Sequence, residues 1–265
     1  MKKFGSLALA ALFVTALGVS ASAASYEAAA GTPVVDGKKD NVYVTDGIQI
    51  NINESTWALD TSAATGVAYV AWDNDYYYAF VEVTDAKVSD ASQVTSIWAN
   101  DSVEFYINLS GTEGAITDIN AAQWTYGPNF TTWAGGGKHR SDNMDNAKFA
   151  FEITDKGYNV EVALPWGSEY TPKVGANITV VFGIDDDNDG DASSREQHLF
   201  STTNVGSSWQ TADSAWDTLT LTDKKYVEPV EEPSSSATTA DMGIVAALAS
   251  LAASGAAVLS LKKRK

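Results

Sequence analysis

The densest chemistry in the chain lies in Asp185-Asp186-Asp187-Asn188-Asp189-Gly190-Asp191-Ala192-Ser193-Ser194-Arg195-Glu196. The segment matches D-x-D-x-D-G with a glutamate at position twelve. Oxygen ligands at alternating positions can wrap one cation, the glycine permits a sharp turn, and a bidentate glutamate closes the shell. Aspartates this dense repel one another unless a cation neutralises them. The flanks are strand-like, so this is not an EF-hand proper. The expectation is one structural calcium bound by Asp185, Asp187, Asp189 and Glu196. Magnesium suits such a cage less, because it retains several of its waters. A solvated acidic turn is the plainer alternative.

Tryptophan is the second resource, with eight in the chain beside eleven tyrosines. Trp72 and Trp166 lie in alternating apolar runs, and Trp216 precedes the last one, so all three read as core. Trp98 sits at a loop–strand junction, in Ser96-Ile97-Trp98-Ala99-Asn100-Asp101. Trp209 sits in the polar loop Gly206-Ser207-Ser208-Trp209-Gln210-Thr211, where a core ring is unexpected. A flat ring in a loop can stack on the apolar face of a ligand. Loop tryptophans that merely cap the body are the alternative. Glu104 alternates with Val103 and Phe105 and therefore points away from their face. The Gly- and aromatic-rich stretch 124–140, with Trp124, Tyr126, Trp133 and His139, could form a loop lining the same cleft.

Period-two alternation supplies the elements that would hold these residues. Val67-Ala68-Tyr69-Val70-Ala71-Trp72 and Tyr76-Tyr77-Tyr78-Ala79-Phe80-Val81-Glu82-Val83 flank Asp73-Asn74-Asp75, which predicts a hairpin. Lys148 to Ile153 and Tyr158 to Leu164 flank Thr154-Asp155-Lys156-Gly157, a second one. Ser102 to Asn108, Ile178 to Ile184 and Asp217 to Leu221 add further strands. No amphipathic helix longer than about ten residues appears. The fold class is all-β, an antiparallel β-sandwich or jelly roll of roughly 190 residues.

The two ends read as targeting segments. Lys2 and Lys3 precede the apolar run Leu7 to Val19, and Ala21-Ser22-Ala23 offers small residues at cleavage positions, so residues 1–24 are expected to be a signal peptide. Residues 25–225 form the body. Residues 226–240, rich in Glu, Pro, Ser and Thr, read as an extended linker. Within 241–265, Met242 to Leu261 is apolar or small throughout, long enough at ~1.5 Å per residue for one hydrocarbon core of about 30 Å. Lys262-Lys263-Arg264-Lys265 then belongs on the cytoplasmic side. A cell-surface protein on the outer face of the plasma membrane is the expectation. The order resembles C-terminal anchors of Gram-positive bacteria. The Leu-Pro-x-Thr-Gly sorting signal is absent, so plain membrane anchoring is the simpler reading.

The net charge is −17, and six of the 17 basic residues lie at the extreme ends. A body this acidic repels phosphate backbones, which argues against nucleic acid as a partner. The absence of cysteine excludes disulfides, thiolate metal sites and cysteine catalysis.

Several strings together resemble a known family. They are Gly31-Thr32-Pro33-Val34-Val35-Asp36-Gly37, Ala71-Trp72-Asp73, Val83-Thr84-Asp85, Trp98-Ala99-Asn100-Asp101-Ser102-Val103-Glu104-Phe105, Gly157-Tyr158-Asn159-Val160-Glu161-Val162-Ala163-Leu164-Pro165-Trp166 and a late Gly-x-Asp-Asp. In this order and spacing, over about residues 30–222, the body resembles family 9 carbohydrate-binding modules. The resemblance implies a β-sandwich that binds cellulose- or xylan-type sugars, with bound calcium. It implies a sugar held between Trp98 and Trp209, with hydroxyls bound by Glu104, Gln123 and Arg195. Two positions depart from the pattern: Thr125 stands where an arginine is expected, and Gly206 where an asparagine is. The resembled family binds without cleaving, so no enzyme is expected. A glycoside hydrolase needs two carboxylates flanking a cleft, and no G-x-S-x-G nucleophile motif appears. Related DOMON-like domains include haem binders, for which Met144 with His198 would be the axial pair. A structural or adhesive surface protein without sugar binding is the third alternative.

Overall fold

Alternation does set the strands. In β4 (Thr65–Trp72) and β5 (Tyr76–Thr84), Ala68, Val70, Val81 and Val83 turn inward. Asp73 closes the turn between them: its Oδ1 accepts the N–H groups of Asp75 and Tyr76, both at 2.8 Å. The structure is a computed structural model that describes residues 24–53, 64–89, 96–111, 120–128, 130, 134–188, 195–202 and 216–228.

One layer runs β4, β5, β10 (Gly157–Pro165), β9 (Lys148–Ile153), with β2 (Ile48–Ile50) on the far side of β4. The other runs β8 (Ala134–Gly136), β7 (Ala121–Tyr126), β6 (Ser102–Asn108), β11 (Asn177–Asp186). Two strands share the remaining edge of β11. β13 (Asp217–Leu221) pairs with its first half, and β12 (Gln197–Phe200) with its second. β3 (Ile52–Asn53) adds to β12.

The layers join through β1 (Ser25–Ala30). Its first residues pair with β13 and its last two with β4, both in parallel. Every other pairing among the described residues is antiparallel. The expected antiparallel sandwich is therefore present, with one parallel strand crossing from layer to layer.

Between the layers lies the largest apolar cluster among the described residues. Val160 and Val162 of β10 meet Phe105, Trp124, Val180, Phe182 and Ile184 of the other layer. Trp72 and Trp166 are buried in it. Trp216 is buried too, but in a smaller cluster with Tyr106, Val181 and Phe200. Both ends of the stretch 124–140 lie in regular elements. Its start is β7, which sends Trp124 into the core at 0 % exposure. Its end enters α1 (Lys138–Asn143), where His139 Nε2 lies 3.0 Å from the Pro165 carbonyl oxygen. Trp124 is therefore not available to line a cleft, and His139 lines a small pocket of about 90 Å³ with Asp142, Asn143 and Glu169 among others; Trp133 lies outside the described residues.

Met1–Tyr226 forms one compact unit and Val227–Lys265 another. No helix among the described residues is long and apolar enough to cross a membrane. The candidate anchor and the candidate signal peptide up to Ala23 lie outside the described residues.

Candidate functional site

The site is built on the face of the second layer that points away from the core. Val103, Phe105 and Ile107 of β6 enter the core, so Ser102, Glu104 and Tyr106 must face the other way. Register then selects their neighbours. Gln123 stands opposite Tyr106, Asp185 opposite Ser102, and His198 opposite Asp185.

Gly183 stands opposite both Glu104 and Phe200. A Cβ there would lie 3.3 Å from Glu104 Oε2 and 3.3 Å from Phe200 Cε1. The missing side chain lets the Glu104 carboxylate lean across β11 toward His198.

These residues form a continuous polar network. Gln123 Nε2 donates to Glu104 Oε1 at 2.9 Å. The Tyr106 hydroxyl donates to Glu104 Oε2, and His198 Nε2 lies 3.0 Å from that same oxygen. Ser102 Oγ donates to Asp185 Oδ2 at 2.8 Å, and the Arg195 guanidinium pairs with Asp185 Oδ1 at 2.6 Å. Burial pushes the Glu104 carboxyl up, but His198, the Tyr106 hydroxyl and Arg195 outweigh it and hold Glu104 below the usual carboxylate range. Asp185 goes the other way: burial and the charge of Glu104 raise it, against His198, Arg195 and Ser102.

Trp98 stands at the rim of this network. It sits in the 3₁₀ turn Ile97–Ala99, whose other two residues are buried, yet it is 47 % exposed. The Arg195 guanidinium carbon lies 5.6 Å from its ring centroid, within cation–π range. Four of the five expected sugar contacts, Trp98, Glu104, Gln123 and Arg195, are thus brought together. Trp209 lies outside the described residues.

The first residues of the acidic segment are strand. β11 continues through Asp186, and strand alternation sends Asp185 and Asp186 to opposite faces. Asp185 joins Arg195 on the outer face. Asp186 joins Asp85 and Asp101, with carboxylate oxygens of all three within 4.8 Å of one another. The 1-3-5 spacing skips this residue. Asp187 is buried and donates its N–H to Asp101 Oδ1 at 2.9 Å. Glu196 contributes a backbone N–H to the Asp186 carbonyl at 2.9 Å. Asp189 lies outside the described residues.

The three gathered carboxylates are unevenly compensated: Asp101 accepts through both oxygens, from the Ser89 and Asp187 N–H groups. Asp186 Oδ2 accepts from the Ala64 N–H at 2.9 Å, but Asp186 Oδ1 and Asp85 Oδ2 are buried with no hydrogen bond. Burial and the charge of Asp85 push the Asp186 carboxyl up to about 6. Hard oxygen donors, converging and incompletely bonded, suit a divalent cation such as calcium.

The haem pair does not form. His198 is fully buried with Nε2 at Glu104 and its ring 4.0 Å from that of Phe200. Met144 is 40 % exposed on the 3₁₀ turn after α1. A cleft of about 410 Å³ lies over the outer face of the other layer, lined by Gln49, Thr65, Glu82 and Asn159 among others. It contains none of the expected residues and no aromatic ring.

The family described as carbohydrate family 9 binding domain-like matches residues 35–239. The chain belongs to this family. Two of its curated relatives are the exoglucanase XynX of Acetivibrio thermocellus and endo-1,4-beta-xylanase A of Thermoanaerobacterium saccharolyticum. The first is 32% identical over 139 residues, 52% of this chain and 12% of the relative. The second is 30% identical over 207 residues, 78% of this chain and 17% of the relative. The chain therefore spans only a small part of their length. Among solved structures, a family 9 module from Caldicellulosiruptor kristjanssonii in complex with cellotriose superposes with a TM-score of 0.61. It is 18% identical and covers 78% of this chain and 98% of its own. The same module in complex with glucose gives 0.60.

In this family 9 domain, sequence reasoning missed Tyr106, His198 and Gly183 around Glu104, and Asp85 and Asp101 beside Asp186. Asp85 and Asp101 did carry a signal, since each lies in one of the strings that resemble the family. Gly183 carried one as well, as the glycine of the late Gly-x-Asp-Asp; nothing local ties His198 to Glu104, and only the β11–β12 register reveals it.

Proposed function

We propose that the chain is a non-catalytic cell-surface module that captures β-linked glucan or xylan chains. Trp98 and Trp209 would supply the stacking faces, and the Arg195–Asp185–His198–Glu104–Gln123 network the planar polar groups for equatorial hydroxyls. One observation carries this reading: an exposed indole stands at the rim of a buried, pre-organised network of charged and amide groups. Family membership and the cellotriose bound to the C. kristjanssonii module support the class of ligand.

A hydrolytic role is disfavoured on the same geometry. Glu104 and Asp185 are 2 % and 0 % exposed, and each is bonded to protein groups through both oxygens. No sugar ring fits between them as a glycosidase requires. Calcium would be held by Asp85, Asp101 and Asp186 and would stabilise the scaffold.

Presentation at a surface fits the topology. The chain leaves the sandwich after β13, whose Thr220 pairs with Asn177 at the start of β11. Asp185 lies near the end of β11, about 25 Å further along at ~3.3 Å per residue. The chain thus leaves the body at the end of β11 that is far from Asp185.

Calorimetric titration of the body with cello- and xylo-oligosaccharides in calcium tests the proposal. Saturable binding is expected, with at least about a tenfold loss, ~1.4 kcal/mol, in Trp98→Ala and an unchanged melting temperature. No heat with any oligosaccharide would favour the structural or adhesive alternative.

A further inference from the structure

Ala24 is tied to the start of β13 from both sides. Its backbone N–H donates to Asp217 Oδ1 at 2.9 Å, and its carbonyl accepts the Thr218 N–H at 2.9 Å. Asp217 is 1 % exposed. Its Oδ2 is buried without a well-formed hydrogen bond, although the hydroxyls of Thr202 and Ser201 stand beside the carboxyl. Burial pushes this carboxyl up to about 6, against the Ala24 N–H and those hydroxyls. No lysine or arginine among the described residues pairs with it. A buried carboxylate in this position lacks a cation.

The sequence places a candidate cut beside it. Ala21-Ser22-Ala23 puts small side chains at the two positions a signal peptidase reads, so the scissile bond falls between Ala23 and Ala24. We propose that hydrolysis of the Ala23–Ala24 bond creates the missing cation, the new α-ammonium of Ala24 becoming the ion-pair partner of Asp217. Water adds across the amide: Ala23 leaves as a carboxylate, and the Ala24 nitrogen gains a hydrogen and then a proton. An α-amino group of pKa about 7.7–8.0 is charged at neutral pH. The same nitrogen that donates one neutral N–H in the precursor then donates from a full positive charge.

Removal of the leader would thus complete the fold. The strengthened contact lies where β1 joins the two layers. Among the described residues, the other titratable group that feels Asp217 is Tyr26 of β1, raised by burial and then by that charge; it is neutral across the relevant range.

The sign of the pH dependence follows. Pairing raises the folded-state pKa of the α-amino group, so while Asp217 is ionised its stabilisation is full below about 7.7 and fades as pH rises through the raised value; it is lost again in acid, where Asp217 takes up a proton. The test uses the chain from Ala24 to Lys265 in mild detergent, either with a free amino terminus or with Ala24 acetylated. Acetylation keeps the N–H and removes the charge. The free form is expected to melt several degrees higher near pH 7. The gap should close toward pH 10 and be absent when both forms carry Asp217→Asn. The amino group itself, followed by NMR, should titrate above its ordinary value, a readout that does not depend on the variant folding. Mass spectrometry of the exported chain should find Ala24 first. Equal melting of the two forms, an unshifted amino group, or Ser25 as the first residue would overturn the proposal.

Discussion

At the scale of single residues, the Arg195–Asp185 pair ties stability to recognition. Asp185 is fully buried, and its guanidinium partner also lies against the Trp98 ring. Removing one member of a buried pair strands the other charge, at a cost of about 3–5 kcal/mol. The Arg195 side chain is 15 % exposed, so the low end of that range applies. Arg195→Leu should lower the urea midpoint and weaken oligosaccharide binding together. Combining it with Asp185→Leu should restore most of the stability but not the binding. Recovery of both would show that Arg195 acts on the scaffold alone. Arg195→Lys should recover the charge without the planar face toward Trp98, and so keep stability better than affinity.

At the scale of elements, the site depends on β11 having no side chain at Gly183. Gly183→Ala places a methyl 3.3 Å from Glu104 Cβ, Glu104 Oε2 and Phe200 Cε1. Small-to-large changes in packed surroundings cost about 1–3 kcal/mol. Glu104 should move off His198, so titration should show affinity falling several-fold alongside a drop in melting temperature; unchanged affinity would mean that Glu104 does not contact sugar. The neighbouring edge has a similar dependence. Gly135 of β8 adopts φ +109°, and a Cβ there would lie 2.2 Å from the Gln123 carbonyl oxygen. Strand alternation explains what was legible from sequence. β4, β5, β6 and β10 carry strong period-two patterns of Val, Phe and Tyr and are found at the expected places. Half of β1 is alanine, which has weak strand preference, and only pairing with β13 and β4 makes it a strand. The acidic segment begins inside the same pattern: its ligand spacing reads as a loop motif, and its first residues are strand, since β11 runs on through Asp186.

At the scale of the whole molecule, the acidic cluster matters because of where its members come from. Asp85 follows β5 in one layer. Asp101 precedes β6, and Asp186 ends β11, in the other. A divalent cation among them would pin the two layers together at the end of the sandwich that carries Trp98. Without it, their mutual repulsion and burial would work against the folded state. A ligand that binds only the folded chain adds about 2.7 kcal/mol at a hundredfold excess over its Kd. Chelation should therefore lower the melting temperature by several degrees, and calcium should restore it. Asp186→Asn should remove that response, whereas Asp189→Asn, a member of the 1-3-5 spacing, should leave it in place. Loss of the calcium response in Asp189→Asn but not in Asp186→Asn would move the cation to the loop that the sequence first suggested. Melting that ignores both chelator and calcium would leave the layers held by the apolar core alone. Trp98→Ala should melt with the same calcium dependence as the parent, because the stacking ring lies outside the cluster that would hold the layers together.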